Sequence, residues 1–392
     1  MPKRIAILGS TGSVGKQALQ VIDALGPEYQ VVALTANSNT DLLARQAKKY
    51  KPKVVGLTDD SVLSKLTDTL GNLQVEVLTG PDSLVQIAQL DDADLILTAV
   101  VGAAGLPAVL AAAEKAKTIA IANKEPLAIA GELLMDAARR NNAEILPVDS
   151  EHSAIFQALQ AGRKQDVRKI ILTSSGGPFR KVSAEDIENV TIEQALAHPV
   201  WSMGPKITID SATMMNKAIE VIEAHWLFDI GVDDIEVLIH PESIVHSLVE
   251  FVDGSVIAQL GTPDMSMPIQ YALTYPARAV GIAKHLKLDE LGKLTFAKPN
   301  LQVFKALTLG FEVARAGGTA PVVFNAANEV AVEHFLAGRI KFAAIVELIE
   351  ACLDKHDIKA ITSLEELLEA DTWAREQVQK SISKKEHKYT RT

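Results

Sequence analysis

Over the first 149 positions, short unbroken apolar runs alternate with segments of helical period. Residues 4–8 form one such run. Val14, Ala18, Val21, Ile22 and Leu25 then recur on one helical face before Gly26-Pro27 ends the helix. Further runs fall at 31–34, 53–57, 95–101 and 118–122. Runs of this length suit strands buried on both faces, and the helices between them predict a parallel sheet covered on both sides. From 150 to about 275 the pattern changes. Candidate strands at 169–173, 206–209, 235–239, 247–251 and 255–260 surround one helix near 216–228, which predicts an α+β block. Residues 276–300 carry Pro276, Gly281, Gly292 and Pro299 and read as a linker. Helical periods at 301–315, 321–337, 341–356 and 363–382 then predict a small antiparallel bundle, followed by a solvated polar tail at 383–388. The fold class is therefore α/β: a Rossmann-like domain over 1–149, an α+β domain over 150–275, the linker, and a helical domain over 301–392.

Composition narrows the function. A chain of 392 residues with 48% hydrophobic and 22% charged residues is a globular protein of more than one core. Its net charge of -10 argues against nucleic acid as the main partner. A single cysteine, Cys352, allows no internal disulfide and fits a reducing cytoplasm; its helical setting reads as a small buried hydrophobe. No signal-peptide pattern is visible at the N-terminus, and no apolar run reaches ~18 residues, so no membrane role is expected.

The candidate chemistry starts at Gly9-Ser10-Thr11-Gly12-Ser13-Val14-Gly15. This glycine loop follows a strand and opens a helix, the context in which backbone amides approach a pyrophosphate; Thr11 and Ser13 add hydroxyl donors. A dinucleotide is the predicted ligand. The second strand ends in Thr35-Ala36-Asn37-Ser38-Asn39, with no acid to take a ribose diol. That favours NADPH over NADH, since Asn and Ser can hydrogen-bond a 2′-phosphate. Asp149-Ser150-Glu151 ends an apolar strand, and residues two apart on a strand share a side, so both carboxylates can face one ion. Carboxylate oxygens suit Mg²⁺ or Mn²⁺. Asn216, Lys217 and Glu220 share one helical stretch after Ser211-Ala212-Thr213, a pattern for a polyanion and metal site in which Glu223 competes with Glu220. Ser174-Ser175-Gly176-Gly177-Pro178 is a turn able to cradle phosphate. His198-Pro199-Val200-Trp201-Ser202-Met203-Gly204 reads as an apolar-aromatic lid carrying one histidine, whereas His240 before Pro241 reads as a satisfied strand-end histidine.

Together these motifs, with Val101-Gly102-Ala103-Ala104-Gly105-Leu106, Ala122-Asn123-Lys124-Glu125, Asp210-Ser211-Ala212-Thr213-Met214-Met215-Asn216-Lys217 and Asn325-Ala326-Ala327-Asn328-Glu329, resemble the 1-deoxy-D-xylulose 5-phosphate reductoisomerase family over nearly the whole chain. The resemblance implies an NADPH- and Mg²⁺- or Mn²⁺-dependent enzyme, assembled as a homodimer. Its reaction rearranges 1-deoxy-D-xylulose 5-phosphate by retro-aldol cleavage and re-aldolisation, then reduces the aldehyde to 2-C-methyl-D-erythritol 4-phosphate. It implies Asp149, Glu151 and Glu220 as metal ligands, selecting Glu220 over Glu223. Lys124, Ser150, Glu151, Ser175, His198, Ser211, Asn216, Lys217 and Glu220 become the substrate site, with Lys124, Glu151 and His198 as catalytic groups. Thr11, Gly12, Ser13, Val14, Asn39, Asn123, Glu125 and Gly204 become cofactor contacts, beside Asn37 and Ser38, which the end of the second strand itself offers. Two departures stand out: Asn37-Ser38 replaces a common glycine and basic residue, and Pro126 follows Asn123-Lys124-Glu125 where Ser or Thr is usual. The rival readings are a metal-free NADPH dehydrogenase and a catalytically silent nucleotide sensor.

Overall fold

The computed structural model describes residues 1–183, 185–201 and 203–389, the side chains of 385–389 excepted. The chain divides into two compact units: residues 1–126, 132–156 and 264–286 form the first, and 127–131, 157–263 and 287–392 the second.

In the first unit, strands β1 (Lys3–Leu8), β2 (Tyr29–Ala36), β3 (Val54–Leu57), β4 (Glu76–Thr79), β5 (Leu95–Thr98), β6 (Thr118–Ile121) and β7 (Glu144–Pro147) form one sheet. Their order is β4-β3-β2-β1-β5-β6-β7, and every neighbouring pair is parallel. This is the Rossmann-like arrangement that the alternation predicts. The strand order reverses beside β1, so a crevice opens at the carboxyl ends of β1 and β5, where the glycine loop lies. Ile5, Ile7, Leu34, Leu57, Leu95 and Leu97 are wholly buried in this core. Ile269, Ala272 and Leu273, on the helix Ser266–Thr274, join the same core. The stretch that opens the expected linker at 276 therefore continues in the first unit as far as 286. The apolar helix just before it covers the Rossmann-like core, which local composition cannot reveal.

In the second unit, β8 (Val167–Ser174), β9 (Ile235–Ile239), β10 (Val245–Phe251) and β11 (Val256–Leu260) form a mixed sheet of order β11-β10-β8-β9. β8 and β9 are parallel, and the other two pairings are antiparallel. The helices Lys305–Ala316, Ala320–Leu336, Ala344–Leu353 and Leu364–Tyr389 follow. The last helix runs through 383–388, where a polar tail is expected from the sequence; within the segment, the side chains from 385 onward lie outside the described residues.

Two local expectations are corrected. Residues 206–209 belong to a helix, Pro205–Thr213, rather than a strand. The alternation of polar and apolar residues from Lys206 to Ile209 mimics strand period, but Pro205 sits in the first helical turn and Gly204 is the cap. The hydroxyls of Thr208 and Thr213 fold back onto the carbonyls of Gly204 (2.9 Å) and Ile209 (3.1 Å). Likewise β7 stops at Pro147 and the helix Ser150–Leu159 begins, so Asp149 and Glu151 are not strand neighbours. Among the described residues, no helix is long and apolar enough to cross a membrane.

Candidate active site

In the first unit the glycine loop is held by contacts that only glycine permits. A Cβ on Gly9, whose φ is 86°, would lie 2.5 Å from the carbonyl oxygen of Ala99. One on Gly15 would lie 2.4 Å from the carbonyl oxygen of Gly9. Polar groups that no sequence motif singles out brace the loop. Gly9 N donates to Thr35 Oγ1 at 2.8 Å, Ser10 Oγ donates to Gln46 Oε1 at 2.7 Å, and Gln46 Nε2 donates to Ser10 O at 2.9 Å. Ser10 and Gln46 lie 36 residues apart, so no local signal announces them.

Gly12 caps the helix Ser13–Leu25 with no side-chain hydrogen bond. The first-turn amides, including those of Ser13 and Val14, thus point at the loop, a setting that favours an anion. A cavity of about 540 Å³, lined by Thr11, Gly12, Asn37 and Thr58 among others, adjoins them. This size, the glycine cradle and the helix start fit a dinucleotide. Asn39 also serves the local fold, since its Oδ1 accepts from Leu42 N at 3.2 Å and caps the helix Thr40–Tyr50. Asn123 Oδ1 accepts from the Thr98 hydroxyl at 2.9 Å, and Glu125 is buried in the next helical turn beside Pro126.

The same unit carries the acidic motif. Asp149 O accepts the Ser153 amide at 2.8 Å, which places Asp149 at the start of the helix Ser150–Leu159. Glu151 is in its first turn, and carboxylates are favoured at this positive end. Carboxylate oxygens of Asp149 and Glu151 come within 4.8 Å of each other. Ser150 Oγ donates to Glu151 Oε2 at 2.5 Å, and the buried Lys124 approaches Asp149 Oδ2 with its Nζ at 2.6 Å. Two neighbouring oxygen donors suit a hard divalent ion. Cys352 is no competitor: it is buried, and burial raises its thiol pKa to about 11.

In the second unit, β8 leads into Ser175, Gly176 and Gly177. The two glycines take φ values of 77° and 61°. A Cβ on Gly177 would lie 2.7 Å from the Ser211 carbonyl oxygen, so glycine lets this turn press onto the end of the helix Pro205–Thr213. Met214, left-handed at φ 62°, then turns the chain into the helix Met215–Phe228. Ser211 thus lies near the end of one helix, while Asn216 and Lys217 occupy the first turn of the next. Asn216 and Lys217 each donate to a carboxylate oxygen of the buried Glu220. Asp210 is anchored from two sides, by Lys206 (2.8 Å) and by Asn328 Nδ2 (2.8 Å).

His198 shows which ring nitrogen carries its proton. Its Nδ1 accepts from the amides of Val200 (3.2 Å) and Trp201 (2.8 Å). The neutral ring therefore holds its hydrogen on Nε2 and donates it to Ser175 Oγ at 3.1 Å. Ser175 Oγ also accepts from Gly177 N at 3.3 Å. With both acceptor positions filled, the serine hydrogen is directed elsewhere, toward an acceptor such as a phosphate oxygen. Burial, and then the charge of Arg180, lower the His198 pKa and keep the ring neutral. In the expected lid, Trp201 and Met203 are partly buried, Gly204 caps the helix Pro205–Thr213, and Ser202 lies outside the described residues. His240 is buried with both nitrogens bonded, to Thr295 O and to the amides of Ile244 and Val245, as a structural histidine would be.

Comparison with known proteins identifies the family of the chain. Family models match at residues 5–131 (1-deoxy-D-xylulose 5-phosphate reductoisomerase), 145–228 (its C-terminal domain) and 260–377 (DXP reductoisomerase C-terminal domain). The reductoisomerase of Exiguobacterium sibiricum is 51% identical over 95% of this chain and 97% of its own length. That of Desulforamulus reducens is 50% identical over 97% and 99%. The Zymomonas mobilis enzyme in complex with NADPH superimposes with a TM-score of 0.91 at 43% identity, covering 97% of this chain and 99% of its own. A DOX-P reductoisomerase in complex with NADPH, fosmidomycin and magnesium gives 0.91 at 42%, covering 97% and 98%. The chain belongs to the 1-deoxy-D-xylulose 5-phosphate reductoisomerase family.

Proposed function

We infer that the chain carries out the reaction of its family, the NADPH- and divalent-metal-dependent conversion of 1-deoxy-D-xylulose 5-phosphate to 2-C-methyl-D-erythritol 4-phosphate. The observation that carries the substrate assignment is the Ser175 hydroxyl, whose acceptor positions are filled by His198 and Gly177, which leaves its hydrogen to donate to a bound phosphate. Ser211, Asn216 and Lys217 supply further donors for the same phosphate, two of them in the first turn of a helix. Binding energy from this remote phosphate is available to hold the substrate in its reactive pose.

Asp149, Glu151 and Glu220 are the residues that would hold the cation. When bound, it supplies Lewis acidity toward the substrate's vicinal oxygens, and NADPH supplies the hydride. Lys124 balances the charge of Asp149 and offers N–H donors to a substrate oxygen. Ser150 orients Glu151 through its hydroxyl. Thr11, Gly12, Ser13 and Val14 take the cofactor pyrophosphate, Asn37, Ser38 and Asn39 its adenosine end, and Asn123, Glu125 and Gly204 the remainder. The loop 198–204 excludes water over the substrate, with His198 holding Ser175 in place. The single buried thiol supports a cytoplasmic setting, and a homodimer is the assembly to test by sedimentation.

The deciding experiment follows NADPH absorbance with purified protein, 1-deoxy-D-xylulose 5-phosphate and Mg²⁺, with and without EDTA. Metal-dependent oxidation stopped by EDTA supports the reading. Absence of oxidation by folded, NADPH-binding protein rejects that substrate.

A further inference from the structure

The adenosine end of the cofactor cavity has an unusual donor set. Asn37 follows β2, the position from which an acid would chelate a ribose diol and a cation would pair with a 2′-phosphate. It is neutral. Its two acceptors are engaged: the backbone oxygen accepts Asp59 N at 3.2 Å, and Oδ1 accepts the Thr58 hydroxyl at 2.8 Å. Thr58 is itself fixed by its amide, which donates to Ala36 O at 3.1 Å. With Oδ1 turned toward Thr58, the Asn37 amide presents its Nδ2 hydrogens as donors. Both residues line the cavity that Thr11 and Gly12 also line, and among the described residues no Lys or Arg lines it.

Building on the NADPH reading above, we propose that Asn37 is the residue that distinguishes NADPH from NADH in this chain, and that Thr58 is its positioning residue. Thr58 holds the amide so that two neutral N–H groups meet the 2′-phosphate. A hydroxyl in place of that phosphate can accept from only part of this set, so discrimination comes from hydrogen bonds without a charge pair. The grip is consequently sensitive to amide orientation, which a threonine hydroxyl sets and an isosteric valine does not.

The test is equilibrium binding of NADPH and NADH to the full chain, read from coenzyme fluorescence. Thr58→Val raises the NADPH dissociation constant at least threefold and moves that of NADH less than twofold. Thr58→Ser, which keeps the hydroxyl, stays within twofold of the parent for both. Asn37→Asp weakens NADPH at least thirtyfold by placing a carboxylate against the phosphate, while NADH binds as well or better. NADH binding also serves as the check that each variant is folded. Equal losses for both coenzymes in Thr58→Val or Asn37→Asp, no loss in Thr58→Val, or Thr58→Ser behaving as Thr58→Val would each overturn the proposal. Failure of the parent chain to bind NADPH would overturn the functional reading as well.

Discussion

His198 makes two separable kinds of contact, and a pair of substitutions divides them. The amide oxygen of asparagine falls near the place of Nδ1, and the amide nitrogen of glutamine near that of Nε2. His198→Asn therefore keeps an acceptor for the Val200 and Trp201 amides and loses the donor to Ser175. His198→Gln does the reverse. A single net hydrogen bond contributes about 0.5–1.5 kcal/mol. Losing the one that fixes Ser175 should raise KM for the phosphorylated substrate roughly 2- to 13-fold, at about 1.36 kcal/mol per decade. His198→Gln instead exposes the 198–201 turn, whose two amides lose their acceptor. Steady-state kinetics at saturating NADPH measure the first effect. Hydrogen–deuterium exchange at Val200 and Trp201 measures the second: slow in the parent and in His198→Asn, fast in His198→Gln. If His198→Asn leaves KM unchanged, or if both variants show the same exchange, the tautomer argument is wrong.

The same arrangement sets a pH dependence. Because burial lowers the His198 pKa, the neutral ring persists in the folded state below the ordinary histidine value near 6.5. Stability therefore stays level above about pH 6.5 and falls as pH drops from there toward the lowered folded-state value, whereas substrate affinity is lost only at that lower pH, where protonation of the folded ring places a hydrogen on Nδ1 against two donors. A KM profile as steep in His198→Asn would assign the transition to another group. Glu151→Gln should lower turnover by at least about a hundredfold, as loss of a preorganised charged group does, while NADPH binding measured by fluorescence persists. Gly177→Ala should cost about 1–2 kcal/mol for its left-handed φ alone, and more through the Ser211 contact; calorimetry should show a lowered Tm and kinetics a raised KM with NADPH affinity intact. EDTA should abolish NADPH oxidation, with activity restored by Mg²⁺ or Mn²⁺.

Much of the fold is legible in the chain because its signals are local. Buried parallel strands announce themselves as unbroken apolar runs, and Gly9, Gly12 and Gly15 follow one of them at the start of a helix. Sequence and structure part where two local codes overlap. Ile207-Thr208-Ile209 has strand alternation, yet the Gly204-Pro205 start and hydroxyls bonded back to the helix place it in a helix. Asp149 and Glu151 have the spacing of strand neighbours, but they lie at the start of a helix, where the positive end favours both charges.

The sequence by itself determined the residue types that the chemistry requires: glycines where backbone must pack on backbone, oxygen ligands for a hard cation, and hydroxyl and amide donors for phosphate. Each depends only on composition and short spacing. Tertiary structure decided which of them act together. The Ser10–Gln46 brace, the Thr58–Asn37 pair, the seating of Gly177 on Ser211 and the Asp210–Asn328 anchor join positions that chain separation keeps apart. It also decided the His198 tautomer, because the fold of the 198–201 turn aims the Val200 and Trp201 amides at Nδ1 and brings Ser175 to Nε2.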